Sequence, residues 1–339
     1  METAEGNGRE PTLVTETTET MTAINSLHIT SLDVTARVVT KRRLTDVTTM
    51  LVISAPLVSL NAAPGQFVIV RLSEAGERVP ISITDFDAAA GTITLVVQEV
   101  GKTSTGLCAL EVGDEILDFA GPLGHPVELP DSGHAVLIGG GFGTGAIYPL
   151  AREMKKRGVT VSAIAGARTR DLVILSDLLE PACDHYHVCT DDGSLGYHGF
   201  VTGRLEELIV GGAGYTICFA VGPMPMMRAV ADAAKRHGLP AMLSLDPLMV
   251  DGTGMCGGCR VTCNGSVKFA CVDGPFFDAE GVDFDEAVDR KGMYSVDERL
   301  AADLAAAGAT GTADPAGGAS PDAAAGTDLS AAGTRTRTA

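Results

Sequence analysis

Tryptophan is absent from this 339-residue chain, and aromatic residues make up only 4% of it. Its cores must therefore be built from Val, Ile, Leu, Ala and Met rather than from stacked rings. Basic residues are also scarce. Lys and Arg number 25 against 43 Asp and Glu, a formal net charge of −18. A surface that negative repels phosphate backbones, so no nucleic-acid partner is expected, while a basic protein face remains compatible. Long apolar runs are missing too. The stretches at 135–150 and 216–227 are broken by Gly and Pro, short of the roughly 18 uninterrupted apolar residues of a spanning helix. The first twenty residues have neither a basic start nor an apolar segment. No secretory signal and no membrane contact are expected, and a cytoplasmic location follows.

What is present divides the chain into five parts. Residues 1–26 and 293–339 read as disordered tails, too poor in apolar side chains to offset chain entropy, and Met21 is a candidate start. Residues 27–130 read as short β-branched strands at 48–53, 66–71, 92–98 and 115–119, bounded by Gly, Pro and Asp turns. No helical pattern interrupts them, and an antiparallel β-barrel is expected. Residues 131–240 alternate strands (134–138, 159–165, 186–190, 216–221) with helices (146–157, 171–179, 223–237). That alternation predicts an α/β domain with a doubly wound parallel sheet. Residues 241–292 form a small final module.

Eight cysteines are present, and in a cytoplasmic chain disulfides are not their default use. Cys108, Cys183, Cys189 and Cys218 are scattered in mostly apolar surroundings and read as buried inert thiols. Cys256, Cys259, Cys263 and Cys271 crowd into 16 residues. Plant-type 2Fe–2S sites use a Cys-x4-Cys-x2-Cys run plus a distant Cys. Both spacings are present here, with Asp251 in the first position and Cys256, Cys259 and Cys271 in the others. Glycines at 252, 254, 257 and 258 let the backbone curl and turn its amides toward sulfur. Gly265 suggests a hairpin turn returning Cys271 to the loop. Cys263 is the alternative fourth ligand to Asp251, and a zinc site on the same thiolates is the rival chemistry.

Gly139, Gly140, Gly141, Gly143, Thr144 and Gly145 lie between a strand and a helix. There, glycines let the backbone approach a pyrophosphate and the helix N-terminus favours its charge. Asp192, Gly222 and Pro223 follow later strands, at the sheet edge where ligands bind. In the barrel region, Arg78-Val79-Pro80-Ile81-Ser82 sets a cation beside an extended strand. Lys102, Thr103 and Ser104 follow Gly101 in a donor-rich loop suited to a second phosphate. Gly121–Gly124 reads as a turn. Arg168 and Arg170 are positioned either for a 2′-phosphate or for solvent, so NADP(H) is not excluded beside NAD(H).

Taken together, these segments resemble the ferredoxin–NADP reductase-like electron-transfer subunits. One branch contains the dihydroorotate dehydrogenase electron-transfer subunit. The other contains the small subunit of NADH-dependent reduced ferredoxin:NADP+ oxidoreductase, also described as sulfide dehydrogenase. Phrases such as Gln98-Glu99-Val100-Gly101-Lys102-Thr103, Thr190-Asp191-Asp192-Gly193-Ser194 and Met249-Val250-Asp251-Gly252-Thr253-Gly254-Met255-Cys256 resemble the second branch. The resemblance implies FAD on the barrel, held by Arg78 through Ser82 and by Lys102, Thr103 and Ser104. Ser82 would stand near the flavin's reactive nitrogen, with no other catalytic side chain required. It implies NAD(H) at Gly139–Gly145, Asp192 and Gly222. Arg-x-Pro-Ile-Ser replaces the wider superfamily's Arg-x-Tyr-Ser, so the aromatic flavin contact is missing. Asp251 as first ligand resembles the bifurcating branch, where the dihydroorotate branch has four cysteines. The resemblance further implies a larger flavin and iron–sulfur partner similar to the glutamate synthase small subunit, with ferredoxin an indirect partner. The acidic stretch 273–289 is a candidate face toward it. The alternatives are an electron-transfer subunit feeding dihydroorotate dehydrogenase or another oxidoreductase, or a non-catalytic redox-sensing or zinc-binding module.

Overall fold

The computed structural model describes residues 35–293 together with 299, 300 and 303. Met21 and the two expected tails lie outside the described residues, apart from those last few positions.

The first unit is antiparallel. Its strands are β1 (Ala36–Thr45), β2 (Thr48–Ser54), β3 (Phe67–Arg71), β4 (Val79–Asp87), β5 (Thr92–Gln98), β6 (Glu115–Ile116) and β7 (Asp118–Leu123). They pair in the order β6-β1-β2-β5-β4-β3-β7. The two edge strands, β6 and β7, are separated in sequence by Leu117 alone. The chain thus steps from one edge of the sheet to the other within one residue, which is possible only if the sheet curls into a nearly closed barrel. Leu51, Ile53, Val68, Val70, Ile83 and Leu95 fill its interior. On β3, Phe67 and Ile69 point the opposite way into a core shared with the second unit. Both faces of β3 are covered, hence its unbroken apolar run.

Two helices interrupt the barrel where none was expected: α1 (Pro56–Ser59) and α2 (Lys102–Ala109). The sequence of α2, KTSTGLCA, has low intrinsic helix propensity. Burial of Leu107 and Cys108 against the barrel core sustains it instead. Two other expectations are corrected. The strand anticipated at 115–119 is two strands, split at the barrel corner. Gly121 through Leu123 belong to β7, leaving only Gly124, with φ +82°, to turn.

The second unit contains β8 (His134–Gly140), α3 (Gly143–Lys156), β9 (Thr160–Ala167), α4 (Ser176–Leu179), β10 (His185–Thr190), β11 (Tyr197–His198), α5 (Val201–Val210), β12 (Ile217–Val221), α6 (Met224–Arg236) and β13 (Ala241–Ser244). A hairpin, β14 (Arg260–Cys263) and β15 (Ser266–Phe269), is followed by β16 (Phe276–Asp278) and α7 (Phe284–Gly292). The large sheet runs β11-β10-β9-β8-β12-β13-β16, parallel except for the last pairing. Strand β8 is almost wholly buried because helices cover both faces. Pro223 and Pro225 open α6, where a missing N–H costs nothing, and Gly238 at φ +63° ends it.

The helix expected at 171–179 is instead a single 3₁₀ turn, Arg170–Leu172, and the separate α4. Ile174 and Leu175 between them pack on Val96 of the barrel, and Leu175 takes φ +57°. Strands β13 and β16 extend the nucleotide-type sheet with residues that the sequence reading placed in the final module. That module is consequently not a bead on a string but an edge of the sheet. The barrel and the sheet are further joined at α3. Arg152 hydrogen-bonds Asp85 of β4 and its guanidinium lies 4.7 Å from the Phe86 ring centroid. A Cβ on Gly145 would come within 2.9 Å of Thr84 Oγ1.

Candidate functional site

Strand order reverses between β8 and β12: β9 and β10 lie on one side of β8, β12 and β13 on the other. Ligands bind at the carboxyl ends of strands flanking such a reversal. Gly139–Gly145 leaves β8 there, and Gly222-Pro223 leaves β12 beside it. The glycines are needed for close approach. A Cβ on Gly143 would lie 2.3 Å from the Val221 carbonyl oxygen, and one on Gly222 would lie 3.2 Å from Gly140 Cα. Gly141 adopts φ +56°, a left-handed conformation that favours glycine. The glycines therefore let α3 start tightly against β12, which sets its N-terminus, an anion-favouring arrangement, at the strand reversal.

A cleft of about 900 Å³ opens between this loop and the barrel. Arg78, Val79, Pro80, Ile81 and Ser82 form one wall, and Lys102, Thr103 and Ser104 another. Phe142 and Gly143 reach it from the glycine loop, and Leu248 to Val250 from the segment before the cysteines. Three regions far apart in sequence thus border one cavity, large enough for a dinucleotide-sized cofactor. Ser82 is exposed on β4 opposite Phe67. The hydroxyls of Thr103 and Ser104 are already engaged. Thr103 donates to Glu77 Oε2 at 2.8 Å, and Ser104 Oγ accepts from the amides of Val100 and Gly101 at 3.0 and 2.9 Å. With those hydroxyls occupied, the first-turn N–H groups of α2, which have no partner within the helix, are the donors suited to an anion. Glu77, Thr84, Asp246 and Pro275 also line the cleft. Nothing in their local sequence marks them, because only the packing of three segments brings them together.

Asp192 stands apart from Gly222. Three strand steps separate β10 from β12, about 14 Å. Its carboxylate accepts from Ser194 N and Oγ at 3.0 and 2.6 Å, and these hydrogen bonds, the side-chain one foremost, hold it below the usual carboxylate range. Arg170 donates to the Ser194 carbonyl at 2.7 Å, so it braces this loop rather than facing solvent freely. Arg168 is exposed.

The cysteine segment forms two donor pairs. Cys259 and Cys271 flank the open end of the β14–β15 hairpin, with their sulfurs 3.2 Å apart. Cys256 Sγ lies 3.4 Å from Asp251 Oδ1. Amides turn toward both pairs: Gly258 N is 3.4 Å from Cys256 Sγ, and Cys271 N is 3.5 Å from Cys259 Sγ. The Asp251 carboxylate accepts from the amides of Thr253, Met255 and Cys256 at 3.2, 2.9 and 3.1 Å. Desolvation opposes its charge, but hydrogen bonds from the amides and side chains of Thr253 and Cys256 prevail and bring its pKa down to about 2. Gly252, Gly254 and Gly257 all take positive φ, giving the curl expected of the loop. Among the described residues, no three His, Cys, Asp or Glu gather as a single-ion site. Cys263 lies at the other end of the hairpin. It pairs with Ser266 beside the Asn264-Gly265 turn, four residues or about 13 Å from Cys259 along an extended strand. Its thiol is buried and pushed up to about 11. Of the other four thiols, Cys108, Cys189 and Cys218 are buried; Cys183 is half-buried and pushed up to about 12 by desolvation. The acidic stretch is partly structural: Asp278 and Asp283 cap helical turns, and Asp285 pairs with Arg228 at 2.7 Å.

Two donor pairs under a curled amide-rich loop suit a 2Fe–2S group, and the cleft suits a flavin dinucleotide beside a nicotinamide site. Barrel, switch-point loop and thiol hairpin define an oxidoreductase subunit of the ferredoxin reductase-like kind. Comparison with known proteins agrees. Residues 246–283 match the iron–sulfur cluster binding domain of dihydroorotate dehydrogenase B. The dihydroorotate dehydrogenase B (NAD(+)) electron transfer subunit homolog of Thermotoga maritima is 45% identical over 73% of this chain and 87% of its own. The electron transfer subunit of Geobacillus thermodenitrificans is 35% identical over 71% of this chain and 95% of its own. A chain in the solved NADH-dependent reduced ferredoxin–NADP oxidoreductase, described in terms of flavin-based electron bifurcation, superposes with a TM-score of 0.76. It is 41% identical, covering 79% of this chain and 97% of that one. The chain belongs to the family of dihydroorotate dehydrogenase B electron transfer subunits and their homologues. Membership in a family of electron transfer subunits implies a larger catalytic partner. Among the described residues, no helix is long and apolar enough to cross a membrane.

Proposed function

We propose that this chain is the electron-transfer subunit of an electron-bifurcating, NADH-dependent ferredoxin:NADP+ oxidoreductase. The observation that carries the reading is the convergence of the β4 strand, the Gly139–Gly145 loop and the segment leading to Asp251 on one cleft. When bound, FAD and the 2Fe–2S cluster supply the conversion between hydride exchange with NAD(H) and one-electron transfer. The chain's own residues bind, orient and shield. Lys102 and the α2 N-terminus would hold the flavin phosphates together with Arg78, Val79 through Ser82 would line the flavin's edge, and the Ser82 hydroxyl would be the hydrogen-bonding group for its reactive nitrogen. The glycine loop, with Thr144, Gly222 and Pro223, receives the nicotinamide dinucleotide, and Asp192 with Arg170 stands toward its far end. Asp251, Cys256, Cys259 and Cys271 are the cluster ligands.

The hairpin distance between Cys259 and Cys263 supports Asp251 as fourth ligand, and two donor pairs suit two irons better than one zinc. The partner in this reading is a larger flavin and iron–sulfur subunit similar to the glutamate synthase small subunit, with ferredoxin reached through it. The remaining acidic side chains near 273–289 face that partner, and the setting is cytoplasmic. The relatives named for dihydroorotate dehydrogenase favour a second reading, in which the same subunit serves that enzyme. Co-purification with mass spectrometry separates the two by the partner recovered. The shared core of both readings is tested by anaerobic purification. Flavin and 2Fe–2S absorbance that bleaches on NADH addition is expected. A colourless, zinc-containing protein would refute it.

A further inference from the structure

We infer that Arg78 is a positioning residue that fastens the cluster loop to the flavin strand; the inference rests on the cofactor reading above. Arg78 borders the cleft directly before β4. Its Nε donates to the carbonyl oxygen of Val250 at 3.1 Å, the peptide immediately preceding Asp251. One arm of its guanidinium lies 3.7 Å from Asp118 Oδ2 on β7. Asp118 is itself held by Arg71 Nε at 2.5 Å. The planar fork is thus oriented from the barrel and spends a donor on the cluster loop.

A second contact pins the other side of Asp251. Gly252 takes φ +77°, and a Cβ there would lie 2.7 Å from Leu123 Cδ1 and 3.0 Å from Ile69 Cγ1. Ile69 pairs with Pro80, two residues beyond Arg78, in the β3–β4 register. The peptides before and after Asp251 are therefore both set on the outer face of the barrel, one by a charged hydrogen bond and one by close packing. Between them the loop curls on its own amides around the Asp251 carboxylate. Those internal hydrogen bonds give the loop its shape, whereas Arg78 gives it a place. Because Arg78 stands in the flavin wall as well, one side chain sets the spacing between the two cofactor sites.

The test uses full-length protein purified anaerobically, with Arg78→Met, Arg78→Gln and Arg78→Lys. Gln keeps polarity but is too short to reach Val250. The readouts are the visible circular dichroism of the cluster and the rate of iron release to a ferrous chelator. Flavin content is measured separately, and flavin-stripped wild type serves as control. Loss of a hydrogen bond from a charged donor predicts iron release about tenfold faster in Met and Gln variants, with an altered dichroism spectrum. Arg78→Lys should fall between, and flavin-stripped wild type should release iron at the holoprotein rate. A wild-type release rate and spectrum in either folded neutral variant overturns the inference, whatever its flavin content. Equal acceleration in flavin-stripped wild type also overturns it, since flavin would then be the fastener. Wild-type protein without any cluster instead removes the underlying cofactor reading.

Discussion

Substituting Gly143 with alanine probes the switch-point loop most directly. The added Cβ would sit 2.3 Å from the Val221 carbonyl oxygen and 2.7 Å from its carbon. Both are backbone atoms of a strand paired on two sides, so no side chain can rotate away. Relief requires the start of α3 to retreat from β12 by about 1 Å to reach ordinary contact. Overpacking of this kind costs about 1–3 kcal/mol of stability. A shift of that size in the residues proposed to seat the dinucleotide is expected to lower kcat/KM for NADH about 100-fold. The assay is NADH-driven reduction of ferricyanide by the flavin-loaded protein, with denaturant melts alongside. Gly158→Ala is the control. Gly158 also has positive φ, at +80°, but a Cβ there meets nothing within 4 Å. It should cost about 1–2 kcal/mol from the left-handed backbone and leave kcat/KM unchanged. Wild-type kinetics in Gly143→Ala would show that the glycine loop does not seat the nucleotide.

Three further outcomes follow from the same geometry. Asp251→Ala should change the cluster's paramagnetic resonance and absorbance spectra, while Cys263→Ala should leave both as in wild type; the reverse pattern would move the fourth ligand to Cys263. Arg152→Met strands the half-buried Asp85, whose carboxyl burial already pushes above its usual range against the pull of Arg152. A stability loss of about 2 kcal/mol is expected by urea titration, and an unchanged midpoint would exclude Arg152 as a joint between barrel and sheet. Burial lowers His134 below the ordinary imidazole value of 6.5, despite its hydrogen bond to the Ala213 carbonyl. His187 is lowered likewise by burial and by Arg204. As pH falls below about 6.5 the unfolded chain therefore binds protons first, and stability drops toward the folded values. The melting temperature should decline over that window and decline less steeply in His134→Gln; a parallel slope in the variant would refute the contribution of His134.

Much of the candidate site could be read from residue order because the patterns that suggest it are local. The Asp251, Cys256, Cys259 and Cys271 spacing, the glycines that curl the loop, and the strand–glycine–helix order at 139–145 each act within one short segment. Local rules about backbone freedom and helix termini therefore applied directly. The barrel and the parallel sheet were legible for a similar reason, since alternating patterns report burial on one face or two. Helix α2 was hidden because its propensity is poor and its stability comes from packing on the barrel. The acidic stretch looked like a docking face, yet Asp278, Asp283 and Asp285 are occupied with capping and pairing.

Sequence alone thus determined which groups are available for binding: thiols, a carboxylate, glycine-rich backbone and a few cations. Tertiary structure decided how those atoms relate. Closure of the barrel between β6 and β7, the strand reversal at β8 and β12, and the return of β16 to the sheet edge are long-range pairings that no local window contains. The case for Asp251 over Cys263 rests on Cys263 lying at the turn end of the hairpin, away from Cys259 and Cys271 at its open end. The tie from Arg78 to Val250 spans 172 positions. Contacts at that separation come from the burial of three units against one another, and residue order does not encode them in any single segment.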